Sequence, residues 1–430
     1  MAMVVKNNMS AISTLNTLNK NSSALSKSLQ KVSSGMKING AADDASGYAI
    51  SERMRVQIRG LDQANQNTQN GSSMMKVAEG AVSSTVDILK TLKEKVINAA
   101  NDTNTDADRQ TIQKELDQSI DQINDNANVT YNGKYLVDGS HNSKVTATTT
   151  SMTNQSLNTE TKFASTFTAL TDRNGNSLNI QSSDTITLSY VKEGKTKTIS
   201  VSGASTLTNL INEVSTDIKA GEATSVIGKD VAGDTVYTAD GKSAITLTAA
   251  GSGVESQISG ITLSVTDTKG NVKKSANALL DNFSESIRAQ NKSNDNSINL
   301  QVGTKSNQAI KVGLTDMRAE ALGLQAKDGT TLNISTKDYA NAAINVLDNA
   351  VQKALDQQTT IGAVQSRLEY TSSNLTTASE NVQSSESTIR DADMAKEMTN
   401  YTKNNVLMQA AQAMLSQANQ SSSSVLSLLQ

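Results

Sequence analysis

The sequence predicts a mainly α-helical protein: a long antiparallel coiled-coil helical rod formed by paired N- and C-terminal segments, with an inserted α+β domain in the middle. Three observations predict it. Apolar residues recur at heptad spacing toward both ends of the chain. The stretch 140–275 is instead rich in Ser, Thr, Asn and Gly, with short alternating apolar runs. And the 430 residues contain 0 Pro, where average usage of about 5% would place roughly twenty; no ring interrupts a long helix.

Taken in order, Ala11, Leu15, Leu18, Ser22, Leu25, Leu29, Val32 and Met36 alternate steps of three and four, which predicts a first helix. The run SSGMKINGAADDASG breaks the pattern. A second, long helix follows. Leu61, Thr68, Met75, Val82, Leu89 and Val96 lie seven apart, and Ala64, Gly71, Ala78, Thr85, Leu92 and Ala99 form a parallel seam of mostly small residues. A shorter helix places Ile112, Leu116, Ile120, Ile123 and Ala127 on one face, and Asn132-Gly133 signals a hairpin. In the middle, Ile186, Leu188 and Tyr190, then Ile199 and Val201, then Ile245 and Leu247, then Ile261, Leu263 and Val265 read as strands. STLTNLINEVSTDIKA (205–220) reads as one amphipathic helix and NALLDNFSESIRA (277–289) as another, with short strands at INLQVG and AIKVGL. Near the other end, Leu347, Ala354, Ile361, Leu368, Leu375, Val382 and Ile389 are again seven apart. Leu407, Ala411, Met414, Ala418, Val425 and Leu428 continue an apolar face through a final stretch, 406–430, that carries no charge. Neither half can bury such stripes alone, so the N-terminal helices are expected against the C-terminal ones.

Composition narrows the function. A net charge of −3 gives no electrostatic reason to bind nucleic acid. Aromatics are 3% and Trp is absent, which disfavours ring stacking on bases or sugars. A hydrophobic content of 36% makes a thin core, suited to elongated helices. With 0 Cys there is no disulfide and no thiol chemistry. The N-terminus lacks the basic start and apolar run of a signal peptide, and no stretch approaches the ~20 apolar residues of a membrane span, so no membrane insertion is expected.

The search for chemistry is brief. His141 is the single His and reads as a solvated turn residue in DGSHNS. Gly241-Lys242-Ser243 has Val236 where a phosphate-binding loop needs Gly. Asp102, Asn104, Asp106 and Asp108 begin like a calcium loop, but Ala107 replaces its Gly and Gln113 its closing Glu, so they read as a polar loop before a helix start. Asp43 and Asp44 are adjacent and read as a helix-start signal. No catalytic residue, metal ligand or cofactor site is expected.

The ends carry a resemblance. NNMSAISTLNTLNKNSSALSKSLQKVSSGMKINGAADDASGYAISERM at one end, and IGAVQSRLEYTSSNLTTASENVQSSESTIRDADMAKEM with LMQAAQAMLSQANQ and VLSLL at the other, closely resemble bacterial flagellin over 1–140 and 295–430. Within the insert, YVKEGKTKTISVSGASTLTNLINEVSTD is similar to a small strand–strand–helix module of some flagellins and filament-cap proteins. The resemblance implies a structural subunit of the flagellar filament, used in swimming and assembling at the distal tip. It implies terminal helices 1–42 with 395–430 in the filament's inner core, 43–140 with 276–394 in its outer tube, and 141–275 as a surface-exposed variable insert. It implies export through the flagellum's own channel to an extracellular location without a cleaved signal peptide. The partners it implies are other copies of the chain, the export apparatus, an export chaperone on the C-terminal segment, and cap and hook-junction proteins.

The expected packing residues are Leu15, Leu18, Leu25, Leu29 and Val32 with Leu407, Ala411, Met414, Val425 and Leu428, and the final face is expected to be buried only when subunits stack. Many flagellins have Pro-Gln near the end; this chain has SSSS before VLSLL. The segment read by the vertebrate Toll-like flagellin receptor commonly resembles LQRxRELAVQ, and LKTLKEKVIN, beginning at Leu89, stands in its place. Thr91 replaces the usual Arg and Lys95 the usual Leu, while Glu94 is kept and Glu115 matches an acidic contact position. Interface Arg side chains are frequent hot spots, so weak receptor engagement is expected. The rival reading is a hook–filament junction protein, which shares the end helices. A secreted enzyme on flagellin ends lacks a catalytic constellation, and an adhesive outer surface on the insert is compatible with the leading reading.

Overall fold

The computed structural model describes residues 8–221 and 223–428, with side chains described as far as 421. The helices are α1 (Met9–Ser34), α2 (Ala45–Ala99), α3 (Asp106–Ala127), α4 (Leu207–Asn212), α5 (Lys274–Leu280), α6 (Lys337–Arg390) and α7 (Met394–Leu428). Long helices therefore occupy both ends of the chain and short strands the middle. The side chains of Val425 and Leu428 lie outside the described residues.

The chain divides into two compact units. One holds residues 1–67, 301–308 and 370–430; the other holds 68–300 and 309–369. In the second unit, Thr68, Met75, Val82, Leu89 and Val96 of α2 are buried, as are Gly71, Ala78, Thr85, Leu92 and Ala99. On α6, Leu347, Ala354, Ile361 and Leu368 are buried in the same way. The α2 and α6 segments of this unit are hydrogen-bonded antiparallel neighbours: Lys93 pairs with Asp348, and Gln365 Nε2 donates to Glu79 at 2.7 Å. Inside the first unit Leu61 and Ala64 meet Leu375, Ala378 and Val382, and polar bonds run beside them, Ser372 to Asn65 at 2.7 Å and Ser379 to Asp62 at 3.1 Å.

Asp108, the last of the run Asp102, Asn104, Asp106 and Asp108, belongs to the cap of α3. Thr105 and Asp108 form a reciprocal capping box, which satisfies the helix's first N–H groups. Arg109 is buried and donates to the carbonyls of Ala99 (2.9 Å) and Asn101 (3.1 Å), fastening the end of α2 to the start of α3. Leu116, Ile120, Ile123 and Ala127 are buried on the expected face. The following hairpin joins β1 (Thr130–Tyr131) to β2 (Lys134–Tyr135) through Asn132 (φ 50°) and Gly133 (φ 75°), the two left-handed residues of a tight turn.

The central part is two antiparallel sheets over one core. It uses β3 (Ser151–Asn154), β4 (Thr185–Lys192), β5 (Lys195–Ser202), β6 (Ile218–Ala220), β7 (Val226–Lys229), β8 (Thr235–Tyr237), β9 (Ile245–Ala249), β10 (Ile258–Thr266) and β11 (Phe283–Ile287). One sheet runs β10-β4-β5, the other β11-β3-β9-β6, and β7 pairs with β8 apart from both. Their inner faces bury Phe167, Ile186, Leu188, Tyr190, Leu247, Ile261, Leu263 and Val265 together with Leu207 and Leu210 of α4. A bulge in β10 carries Gly260 at φ 64°, and a Cβ there would come within 2.4 Å of the Ala342 carbonyl of α6. Only a residue without a side chain allows strand and helix to approach so closely. Beyond these, β12 (Ile298–Gln301) and β13 (Ala309–Val312) pair as INLQVG and AIKVGL predict.

Two expected helices are shorter than predicted. In 205–220 only Leu207–Asn212 is α-helix, and the chain turns back into β6. In 277–289 the helix ends at Leu280 and Phe283–Ile287 becomes a strand on β3. Pairing partners far along the chain override the local apolar spacing. At the first site the reason is visible: Asp217 is pulled under β4 and β5, where it accepts hydrogen bonds from Tyr190 Oη (2.7 Å), Lys192 Nζ (2.8 Å) and Lys197 Nζ.

Burial by itself would raise the Asp217 pKa. The hydrogen bonds from Lys192, Lys197 and Tyr190 outweigh it and hold the carboxyl well below the usual carboxylate range. A depressed folded-state pKa means stabilisation that is complete above the unfolded value near 3.9 and is lost as pH falls below it. Asp217→Asn is expected to destabilise the second unit by about 2–4 kcal/mol at pH 7. Denaturant unfolding of the two proteins should converge as the pH is lowered below about 4.

Candidate subunit-packing surface

The terminal helices α1 and α7 pack on each other within the first unit. Asn8 opens α1 as its N-cap, accepting from the Ala11 N–H at 3.0 Å, and Gly35 (φ 71°) closes it. The contact face of α1 carries Ala11, Thr14, Leu18, Asn21, Leu25, Ser28 and Val32. That of α7 carries Asn404, Met408, Ala411, Leu415 and Ala418. The seam mixes large apolar side chains with small and polar ones. Asn21 Nδ2 donates to the Leu407 carbonyl (3.2 Å), Asn404 Nδ2 to Ser28 Oγ (3.1 Å), and Asn8 Nδ2 to the Ala418 carbonyl (3.1 Å).

This differs from the expected register. The stripe of Ala11, Leu18, Leu25 and Val32 faces α7, but its alternates are Thr14, Asn21 and Ser28, not Leu15, Ser22 and Leu29. Leu15 and Leu29 point outward, 45% and 53% exposed. On α7, Leu407 and Met414 are likewise exposed, at 41% and 62%. Ala411, expected to wait for a neighbouring subunit, is already buried within the single chain, because its small side chain sits in the seam. Sequence reasoning missed Met9, Ile12, Met394, Met398 and Val406, all exposed on the same two helices. Ile12 and Val406 lie one position off the assumed stripes, as expected of a helix with two apolar faces, while Met9, Met394 and Met398 precede the stretches where a stripe was assigned.

The breaks between helices are locked together. The Lys37 N–H donates to the Arg390 carbonyl (2.8 Å), and the Ala392 N–H to the Gly35 carbonyl (2.9 Å). Arg390 is buried; its Nη1 donates to Glu52 at 2.6 Å, and its guanidinium lies 5.5 Å from the Tyr48 ring centre. The hydrogen bond from Arg390 holds the Glu52 carboxyl below its ordinary pKa. Arg55 adds a 3.0 Å bond to Glu386. Asp44, one of the paired acids, caps the start of α2 by accepting from the Ser46 and Gly47 N–H groups.

Two regions of the chain match family models: residues 5–142 match the bacterial flagellin N-terminal helical region and residues 344–429 the bacterial flagellin C-terminal helical region. A flagellin of Clostridium tyrobutyricum is 36% identical over 423 residues, 97% of this chain and 99% of that one. The chain belongs to the bacterial flagellins. A flagellin of Bacillus subtilis (strain 168) is 30% identical over 447 residues, covering 99% of this chain and 100% of its own. The flagellar junction protein FlgL from Legionella pneumophila, a solved structure, is 14% identical with a TM-score of 0.31, covering 80% of this chain and 100% of that one. The flagellin matches, and not the junction reading, therefore assign the function: a structural subunit of the flagellar filament rather than an enzyme.

In this flagellin the stretch LKTLKEKVIN, expected from the sequence to face the receptor, lies on α2. Leu89 is fully buried, so its side chain faces the core and presents nothing outward. Thr91 and Glu94 are exposed. Lys95 and Glu115 pair with each other at 3.0 Å, so two of the named positions are tied together in the free chain.

Arg390→Ala is expected to loosen the joint between helices and leave the sheets intact. Hydrogen exchange should quicken roughly tenfold at the Lys37 and Ala392 amides and stay unchanged at Leu188.

Proposed function

We propose that the outward apolar residues of α1 and α7, Leu15, Leu29, Leu407 and Met414 with Met9, Ile12 and Val406, are the contacts by which subunits of this flagellin stack. The observation that carries this is a second apolar face on the terminal pair: Leu18, Leu25, Val32, Met408 and Leu415 enter the seam beside polar and small residues, and a further set of large apolar side chains stays exposed outside it. Fully burying one Leu is worth about 1.5–3 kcal/mol, and that gain is realised only when a neighbour arrives. The same surface needs cover before assembly. A chaperone holding the C-terminal segment, export through the flagellar channel without a signal peptide, and growth beneath a cap beside hook-junction proteins complete the reading. The absence of Pro and Cys from the sequence suits a chain that travels unfolded.

Seeded assembly watched by electron microscopy tests it. Leu15→Ser with Leu29→Ser should keep the monomer's helicity, since both positions are exposed. The concentration needed for growth should rise at least about a hundredfold. A truncation lacking 406–430 should form no tubes. Normal growth of both proteins would remove these residues from the packing surface.

At the receptor, Thr91 supplies no guanidinium and Lys95 places a charge, already paired with Glu115, where an apolar contact is wanted. In a receptor-reporter assay the Thr91→Arg, Lys95→Leu double variant should be the stronger agonist. Equal potency would refute the weak-agonist reading.

A further inference from the structure

Sulfur is unevenly placed in this chain. The sequence holds 13 Met and 0 Cys, so every sulfur atom is a methionine thioether. In the second unit Met74, Met75, Met152 and Met317 are buried, at 6% exposure or less. Met36, Met54 and Met408 are half-buried. Among the described residues the exposed methionines are Met9, Met394, Met398 and Met414, at 69%, 43%, 46% and 62%, and all four lie on α1 and α7. Met394 and Met398 are four positions apart, and Met414 follows Leu407 by seven, so each couple shares a helix face.

Packing alone does not require sulfur at these positions, since Leu is close to Met in volume and in helix propensity. What the thioether adds is reactivity: where solvent reaches it, it is oxidised to a sulfoxide. With hydrogen peroxide as oxidant, the sulfur gives up two electrons and takes one oxygen atom, and the remainder of the peroxide leaves as water. The product carries a strong acceptor on what was an apolar side chain. On the free subunit, water pairs with that oxygen. On a stacked subunit it would be enclosed among side chains such as Ile12, Leu15, Val406 and Leu407, which have no donor to offer it. We propose that Met9, Met394, Met398 and Met414 make the stacking surface oxidation-sensitive: their sulfoxides keep a free subunit out of the filament, and a methionine sulfoxide reductase readmits it. In that reverse step the sulfoxide oxygen leaves as water while a dithiol is oxidised to a disulfide. The inference rests on the stacking reading of α1 and α7. The buried methionines of the second unit are shielded, so the fold there survives an exposure that stops assembly.

The test is seeded assembly of the full-length chain before and after mild hydrogen peroxide. Peptide mass mapping should find one added oxygen at Met9, Met394, Met398 and Met414 and none at Met75, Met152 or Met317. Helicity should be unchanged, and the concentration needed for growth should rise at least about tenfold. The two epimer-specific reductases with dithiothreitol should reverse the rise. A variant with Met9→Leu, Met394→Leu, Met398→Leu and Met414→Leu keeps the other methionines. Judged against its own untreated sample, it should show no rise after peroxide. Met398→Gln with Met414→Gln, a polar replacement that needs no oxidant, should reproduce the rise. Growth of the oxidised chain at the untreated concentration would overturn the proposal. So would an equal rise in the leucine variant, or normal growth of the glutamine variant. The Leu15→Ser, Leu29→Ser protein separates this inference from the reading beneath it. If that protein fails to grow while the oxidised chain grows, only the oxidation inference falls. If it grows normally, the stacking reading falls and this inference with it.

Discussion

The fold depends on antiparallel pairing between helices from opposite ends of the chain. Within each compact unit the α2 and α6 segments bond side by side, Asn65 to Ser372 in one and Glu79 to Gln365 in the other. The apolar stripe on each is complete only with the other present. A long helix with one apolar face has little stability in water by itself, since most helix stability in proteins comes from packing that face. The chain must therefore supply both ends before either helix is secure. The central strands occupy the sequence between those ends.

The two pairings differ in chemistry. Along α2 and α6 of the second unit, Met75, Val82, Leu89, Leu347 and Ile361 are completely buried. This seam is finished within one chain. Between α1 and α7 the seam holds Thr14, Asn21, Ser28 and Asn404 among Leu18, Leu25, Met408 and Leu415, while Leu15, Leu29, Leu407 and Met414 face outward. Such a pair is defined in geometry by its hydrogen bonds yet leaves much apolar area unspent. A protein that must polymerise gains from this arrangement, because contacts withheld from the monomer are available to drive association. Within the first unit, the joint at Arg390, Glu52 and Tyr48 fixes where its α2–α6 segments give way to the α1–α7 pair.

The sheets follow a separate logic. Their core is closed by residues of β4, β9, β10 and α4, and Asp217 replaces a predicted helical turn with a buried charge held by two lysines and a tyrosine. Gly260 seats β10 against α6, which joins the strands to the helical part of their own unit. A polar cavity at the β4–β5 turn arises from the same packing, since the loops that meet there come from three distant parts of the sequence.

The sequence by itself determined the helices and their heptad faces. The seven-residue repeat from Leu61 to Val96 and from Leu347 to Leu368 was legible because a long helix with one buried face has a single consistent period. The hairpin at Asn132-Gly133 was legible because left-handed backbone selects those residues. The family was legible in the long motifs of the two ends. Only the tertiary structure decided which of two apolar stripes on α1 faces α7, because Leu15 and Thr14 both fit a three-four repeat beside Leu18 and the choice rests on what α7 offers opposite. It also decided that 214–220 and 283–287 leave the helical path, since a strand partner many residues away outweighs local spacing. The orphaned buried atoms Gln257 Oε1 and Arg390 Nε belong to the same class. No local pattern marks them, because a missing partner is a property of three-dimensional surroundings and not of sequence order.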